Sequence, residues 1–415
     1  MSKLTTYKFN KLYEMSSGIS SKPEQAGHGS PFLSFSTVYN NYFIPEDLNE
    51  LMDTSEEEQH KYSILEGDIF LTRTSEVIDE LAMSSVALKN YSNATYSGFL
   101  KRLRPLQDNI TYHKFMAFYL RSKLFRKTMT NNAVLTLRAS LNENIFSYLD
   151  LIIPDYKEQV KIGDLLYLIN QKIELNNRIN AELEAMAKTL YDYWFVQFDF
   201  PDENGKPYKS FGGKMVYNKT LKREIPEGWI VSSLGGIGKN VREGIKETNI
   251  NPETAYIGLE HIPRKKIVLD LWIEAVNISS NKYLFNNQDI LFGKLRPYFH
   301  KVGVAFTSGV CSTDILVLNS KEKKYFGYFL MIVSSDDFIN YVARTIEGTR
   351  MPRTNWSNMK RYLIPVPVNR ICILFNNFLE SLISQMNNNV YQNRQLTQLR
   401  DWLLPMLMNG QVSVK

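Results

Sequence analysis

Basic side chains set among aromatics, amides and turn residues carry most of the binding chemistry in this sequence. Gly293-Lys-Leu-Arg-Pro-Tyr-Phe-His-Lys301 places Lys294, Arg296, His300 and Lys301 among rings. Thr345-Ile-Glu-Gly-Thr-Arg-Met-Pro-Arg353 puts Arg350 and Arg353 on a loop shaped by Gly and Pro, and Arg138 in Thr136-Leu-Arg-Ala-Ser140 holds the matching place in the first half. An arginine on a loop can enter the major groove of DNA and grip guanine through two hydrogen bonds, worth ~1–3 kcal/mol of discrimination. A lysine more often meets phosphate, which positions without specifying. Arg73 and Lys294 each close an apolar strand. Lys101, Arg102 and Arg104 open a stretch, Lys101 to Arg138, that holds nine bases and one acid, whereas Glu46 to Glu80 holds twelve acids and two bases. A polyanion would meet the first of these stretches and avoid the second. Any one such base is more often a surface salt bridge, so the argument rests on recurrence in both halves.

Catalytic patterns are missing from the sequence. No G-x-x-x-x-G-K-[ST] loop and no G-x-G-x-x-G occurs. Leu234-Gly-Gly-Ile-Gly-Lys239 is rich in glycine but lacks the phosphate-loop spacing and a buried strand before it, and it reads as a turn. His28, His60, His113, His261 and His300 show no H-x₃-H spacing, so nothing points to a metal site. Asn251-Pro-Glu-Thr254 is not the Asn-Pro-Pro-aromatic motif of adenine methyltransferases, and there is no G-x-S-x-G elbow. These absences point to a binding protein rather than an enzyme.

The elements that must position these residues follow an internal repeat. Ile162, Leu166, Ile169, Ile173, Asn176, Asn180, Leu183, Ala187, Leu190 and Trp194 are spaced alternately by 4 and 3, a heptad seam that predicts a coiled-coil helix from about Lys157 to Val196. A shift of 213 gives Phe375, Leu379, Leu382, Met386, Asn389, Asn393, Leu396, Arg400 and Leu403. Arg400 interrupts this second seam, and neighbouring Leu399 is expected to replace it. Pro154 precedes the first helix, and Pro365 and Pro367 precede the second. Some 40 residues of helix make a rod of ~60 Å, which needs a partner helix. Run antiparallel, the two would bring Asn176 to Asn393 and Asn180 to Asn389, and matched amide layers penalise slipped registers. A parallel pair would match the layers too. The rest of the chain favours antiparallel running, because a domain-sized segment is tied to each helix and closes as a two-fold arrangement.

Other segments correspond as well. Leu65-Glu-Gly-Asp-Ile-Phe-Leu-Thr-Arg73 resembles Phe285-Asn-Asn-Gln-Asp-Ile-Leu-Phe-Gly-Lys294, Ser84–Ala87 resembles Val302–Ala305, and Tyr96–Leu103 lies where Cys311–Leu318 lies. Short strands mixed with aromatic-rich helices predict an α+β fold. Asp199 to Glu224, with Pro201, Gly205, Pro207, Gly212 and Gly213, reads as a linker.

Composition bounds the class. The 415 residues allow two to four domains, and 44% hydrophobic with 22% charged residues is ordinary for a globular chain. The net charge of +6 comes from residues 226–370, with 19 bases and 13 acids. Cys311 and Cys372 are too few for a disulfide framework. No apolar run of ~18 residues and no signal-like start occur, so a cytoplasmic protein is expected.

Several motifs taken together resemble one family. They are the helix Asn176-Asn-Arg-Ile-Asn-Ala-Glu-Leu-Glu-Ala-Met-Ala-Lys-Thr-Leu-Tyr-Asp-Tyr-Trp-Phe195, then Phe198-Asp-Phe-Pro201, Ile225-Pro-Glu-Gly-Trp229, Tyr256-Ile-Gly-Leu-Glu260, and Leu399-Arg-Asp-Trp-Leu-Leu-Pro405 with Asn409-Gly410. The chain is similar, over essentially its whole length, to the DNA-specificity (S) subunit of prokaryotic type I restriction-modification enzymes. The resemblance implies a first target-recognition domain over 1–153, a spacer helix over 154–198, a linker over 199–225, a second recognition domain over 226–366, and a second spacer helix with a C-terminal tail over 367–415. It implies that the two domains are related by a pseudo-two-fold axis, separated by a long antiparallel two-helix coiled coil, and that each reads half of a split, asymmetric site in double-stranded DNA. The implied partners are two methylation (M) subunits and restriction (R) subunits. S-adenosylmethionine, ATP and Mg²⁺ would sit on those partners and none in this chain. One departure is Arg370-Ile-Cys-Ile-Leu374, which replaces the Lys157-Glu-Gln-Val160 start of the first helix. A rival reading of the same pattern is a coiled-coil scaffold protein with no DNA specificity.

Overall fold

The structure, a computed structural model, describes residues 4–20, 22–75, 81–132, 134–135, 139–140, 148–345 and 351–414. The chain divides into two compact units, residues 1–173 with 394–415, and residues 174–393.

In the first unit the central sheet is antiparallel, in the order Tyr13–Ser17, Leu100–Pro105, Ile69–Thr72, Ser84–Val86. Leu4–Lys8 pairs antiparallel with Asp150–Pro154 beside it. Helix His113–Tyr119 buries Phe115, Met116, Phe118 and Tyr119, and the core they join includes Ile162, Leu166, Leu404 and Leu407. In the second unit a five-stranded sheet has the order Gly238–Asn240, Ile315–Ser320, Ile290–Gly293, Val302–Ala305, Val268–Leu269, and Ile230–Ser233 pairs antiparallel with Leu363–Val366. The first four strands of this sheet follow the same order as the four of the first unit. Registers coincide too: Ile69 faces Leu103 and Ile290 faces Leu318, while Ile69 faces Val86 and Ile290 faces Val304. The internal repeat in the sequence is therefore a repeat of four strands in one order.

The two long helices are Tyr156–Tyr191, which ends in a π-helical turn Asp192–Val196, and Asn369–Met408. Within the second unit they run antiparallel, tied by amides. Asn176 Nδ2 donates to Asn393 Oδ1 at 2.8 Å and to Gln392 Oε1 at 2.7 Å, and Asn389 Nδ2 donates to Asn180 Oδ1 at 2.9 Å. Asn393 in turn donates to Asn177 Oδ1 at 2.8 Å. The apolar seam on either side of these layers, Leu183 and Ala187 from one helix and Leu379, Leu382 and Met386 from the other, is buried. Within the first unit the start of the first long helix meets the C-terminal tail: Lys161 Nζ donates to the Val414 carbonyl at 3.2 Å. Glycine allows a close approach of the long helix in each unit. A Cβ at Gly163 would lie 2.7 Å from the Phe115 nitrogen. In the second unit the glycine is on the other partner, where Gly327 N donates to Asn376 Oδ1 at 3.0 Å.

Two sequence expectations are corrected. Leu399 does not replace Arg400 in the seam. It stays exposed, while the Arg400 guanidinium lies 5.1 Å from the Tyr42 ring centroid and pairs with Asp401 at 2.9 Å. A long basic side chain can lay its stem on an apolar surface and place its charge over a ring face, so a seam position need not be aliphatic. The proposed linker is a folded piece. Met215–Asn218 and Arg223–Pro226 form a hairpin, Asp199 accepts from Ser210 N at 2.7 Å and Ser210 Oγ at 2.6 Å, and Phe200 stacks on Tyr208 and Trp229 at 4.7 and 5.2 Å. Its Pro and Gly residues serve tight turns between aromatics.

Asn180→Leu removes the acceptor of Asn389. Chemical denaturation should show a loss of ~1–3 kcal/mol, and Asn180→Leu with Asn389→Leu should recover part of it. Equal losses in the single and double variants would mean that the amide pair contributes nothing to the register.

Candidate nucleic-acid interface

The buried turn that precedes the central strand explains where many of the basic side chains go. In the first unit Leu65 N donates to Asp68 Oδ2, and in the second Asn286 N donates to Asp289 Oδ2, both at 2.8 Å. Both carboxylates are buried and need further donors. Arg104 supplies them in the first unit through two bonds to Asp68, Nε to Oδ1 at 2.8 Å and Nη2 to Oδ2 at 2.6 Å. Those bonds raise the Arg104 pKa further. The matching residue in the second unit is Asn319, whose Nδ2 reaches Asp289 Oδ1 at 2.7 Å. With only neutral donors, burial raises the Asp289 carboxyl above its ordinary value.

Strand register extends this comparison. Lys101 and Arg102 pair with Leu71 and Phe70, and their counterparts, paired with Phe292 and Leu291, are Leu316 and Val317. All four are buried. Lys101 Nζ donates to Ser17 Oγ at 2.8 Å, and Arg102 Nη1 donates to the Ser63 carbonyl at 2.7 Å. Arg121 donates to the carbonyls of Ser84, Val38, Tyr39 and Asn41 at 2.6 to 2.9 Å, and burial pushes its guanidinium down to about 10. Four bases of the stretch from Lys101 to Arg138 are therefore turned to the protein itself rather than to an open basic face. Lys101, Arg102, Arg104 and Arg121 bind the protein's own oxygens, because a charge withdrawn from water must be paired internally.

Other bases are differently placed. Arg73 and Lys294 occupy the same position in the two units. Each follows the central strand, and each backbone N–H is held by the residue just before the strand opposite, Arg73 by Phe99 at 2.8 Å and Lys294 by Asp314 at 2.9 Å. Both are half-buried. In the second unit the loop after Lys294 carries two non-glycine residues in the left-handed region, Arg296 at φ 49° and His300 at φ 53°, on either side of the turn Pro297–Phe299. Such strain persists only where surrounding bonds hold it. Arg296 N bonds to the Pro352 carbonyl at 2.8 Å, Thr354 N to the Lys294 carbonyl at 2.9 Å, and His300 sets its ring between the Ser334 carbonyl at 2.9 Å and Asp336 at 3.2 Å.

This loop gathers Lys294, Arg296 and Arg353. Arg353 is half-exposed and ion-paired to Asp314 at 3.0 Å. Lys301 is turned inward, with Nζ on the Leu259 carbonyl at 2.6 Å, and burial, helped by neighbouring Arg264, lowers its pKa. Arg264, absent from the sequence-based candidates, lies 4.2 Å from the Phe299 ring centroid and is exposed, as are Lys265 and Lys266 after it. The signal was present as three consecutive bases, Arg264-Lys-Lys266. Arg138 and Arg350 lie outside the described residues. Asn176, Asn180, Asn389 and Asn393 are together in the helix pair described above.

Cys311 and Cys372 are free and buried, each pushed up to about 12 by burial, as expected of inert thiols. Among the described residues no three His, Cys, Asp or Glu gather as a metal site would require, and no helix is long and apolar enough to cross a membrane.

Residues 9–185 match the family described as type I restriction modification DNA specificity domain. The chain is similar to specificity subunits of type I restriction enzymes. It is 28% identical over 276 residues to the type I restriction enzyme MjaIX specificity subunit of Methanocaldococcus jannaschii, a match that covers 63% of this chain and 60% of that protein. The HindI specificity subunit of Haemophilus influenzae is 23% identical over 92% of this chain and 94% of its own length. The crystal structure of a type I restriction-modification S subunit from M. genitalium shares the fold, with a TM-score of 0.56 and 13% identity over 98% of this chain and 96% of that one.

Arg104→Ala would leave the Asp68 carboxylate buried with its Leu65 donor but no cation. The expected cost is ~3–5 kcal/mol in denaturant unfolding, with Arg104→Asn, which copies Asn319, costing less. Unchanged stability with weakened DNA binding would reassign Arg104 to the interface.

Proposed function

We propose that the chain is the DNA-recognition subunit of a type I restriction-modification complex in the prokaryotic cytoplasm, that it performs no chemistry itself, and that each unit reads one half of a split, asymmetric site. The observation that carries this reading is the repetition of one sheet with one buried aspartate turn, ending at the same point on a base, Arg73 in one unit and Lys294 in the other. A shared frame with unlike loops suits a ligand whose two halves are alike in backbone and unlike in sequence, and duplex DNA is that ligand. Arg73, Lys294, Arg296 and Arg353, together with Arg264, are the bases assigned to DNA; Arg138 and Arg350 are assigned to base edges by their sequence surroundings. Lys101, Arg102 and Arg104 support the frame, and Lys301 positions the loop.

The long helices would set the gap between half-sites and dock two methylation subunits, which would bring S-adenosylmethionine. Restriction subunits would bring ATP and Mg²⁺ chemistry. The scaffold alternative provides no use for a strained loop rimmed by arginines.

Methylation patterns written by the assembled complex test both parts. Arg350→Ala should relax the sequence requirement in one half-site and Arg138→Ala in the other; a uniform loss at all sites would make either residue a phosphate contact. A four-residue insertion at matched points of both helices adds ~6 Å, on the order of two base pairs. The gap should lengthen with both half-sites unchanged, and an unaltered gap would discard the spacer role.

A further inference from the structure

One short turn is built the same way in both units and carries different side chains. It runs from Ser97 to Phe99 in the first unit and from Ser312 to Asp314 in the second, just before the strand that pairs with the central one. The Ser97 N–H donates to the Leu33 carbonyl and the Ser312 N–H to the Ile257 carbonyl, both at 3.0 Å. Each serine hydroxyl accepts the N–H two residues on, that of Phe99 or Asp314, at 3.2 Å. Each serine carbonyl accepts from the first strand residue, Leu100 or Ile315, at 2.9 Å. The Phe99 and Asp314 carbonyls hold the N–H groups of Arg73 and Lys294. The first unit adds a further tie, from the Gly98 N–H to the Ile19 carbonyl at 2.7 Å, and a Cβ at Gly98 would lie 2.8 Å from that oxygen.

This rigid mount presents Phe99, which is 61% exposed, beside Arg73, whose Nη1 reaches the Gly98 carbonyl at 3.4 Å. A single apolar side chain on a surface needs no explanation. Phe99, however, stands where the second unit places Asp314, and Asp314 accepts from Arg353 Nε at 3.0 Å. Among the described residues the two terminal nitrogens of Arg353 make no bond, so they remain as a pair that matches guanine O6 and N7. The Phe99 ring has no donor for a phosphate. What it can meet in the major groove is the apolar group there, the 5-methyl of thymine. We propose that this turn reads a base in each unit: Phe99 selects a thymine by its methyl group in one half-site, and Asp314 positions Arg353 for a guanine in the other. The inference rests on the DNA-recognition reading above and deepens it by naming the groups that are read.

The test uses the complex assembled with methylation subunits, whose methylated sites define the two half-sites, and measures its binding to duplexes altered at single groups. Uracil replaces each thymine in turn and removes one methyl group. One position should weaken binding roughly fourfold, the worth of about one buried methylene. Phe99→Ala should weaken binding to the unaltered duplex and erase that penalty, whereas Phe99→Leu, which keeps an apolar surface, should retain part of it. 7-Deazaguanine, which lacks the N7 acceptor, replaces each guanine in turn. One position in the other half-site should weaken binding roughly tenfold, and both Arg353→Ala and Asp314→Ala should erase this penalty without touching the uracil penalty. Specific binding with no uracil penalty, or with one that survives in Phe99→Ala, overturns the reading of thymine and leaves DNA recognition standing. A guanine penalty that survives in Asp314→Ala overturns the positioning role of Asp314. A complex that binds all duplex sequences alike fails the recognition reading, and this proposal falls with it.

Discussion

A buried amide must be paired, and that requirement organises the helix pair. Asn176 and Asn180 lie in a seam that is otherwise apolar, where an aliphatic partner would leave them without bonds. Each meets an asparagine of the other helix, 176 opposite 393 and 180 opposite 389 in an antiparallel pair. Sliding either helix by one heptad would set the Asn180 amide against Leu382 or Leu396. The apolar seam supplies most of the stability through burial, but leucine is tolerant of register, and the amides are not. The choice of one register follows from four residues.

The same rule, applied to charge, separates structural bases from those left for a ligand. The Asp68 turn draws in Arg104, and the buried strand beside it ties Lys101 and Arg102 to oxygens of the protein. The second unit builds the equivalent turn with Asn319 and fills the two strand positions with Leu316 and Val317. Equivalence across the repeat thus shows that the charges are one solution to a packing problem that neutral residues solve elsewhere. What the two units keep in common is a base at the end of the central strand, and what they vary is the loop beyond it. In the second unit that loop is strained at Arg296 and His300 and held by backbone bonds, a rigid mount for side chains that must meet a stiff partner.

Much of this architecture was legible from residue order. Heptad spacing located both long helices to within a few residues, the asparagine pattern supplied their register, and Asp68 with Asp289 marked the same turn twice. These signals are local or strictly periodic, and periodicity survives without knowledge of what packs where. Composition does not separate a linker from the folded hairpin at 215–226, because Pro and Gly mark tight turns as readily as they mark loose chain. The place of Arg264 is not legible in residue order, because its neighbour in space, Phe299, is distant in sequence.

The sequence by itself determined the repeat, the helices, their register and the family resemblance, because each depends on spacing along one chain. Only the tertiary structure decided which bases face inward. Whether Arg102 ends on a carbonyl or on a phosphate depends on residues far off in the chain, Ser63 in this case, and on the burial of both faces of its strand. A charge carries no mark of its own solvation, and the fold assigns it.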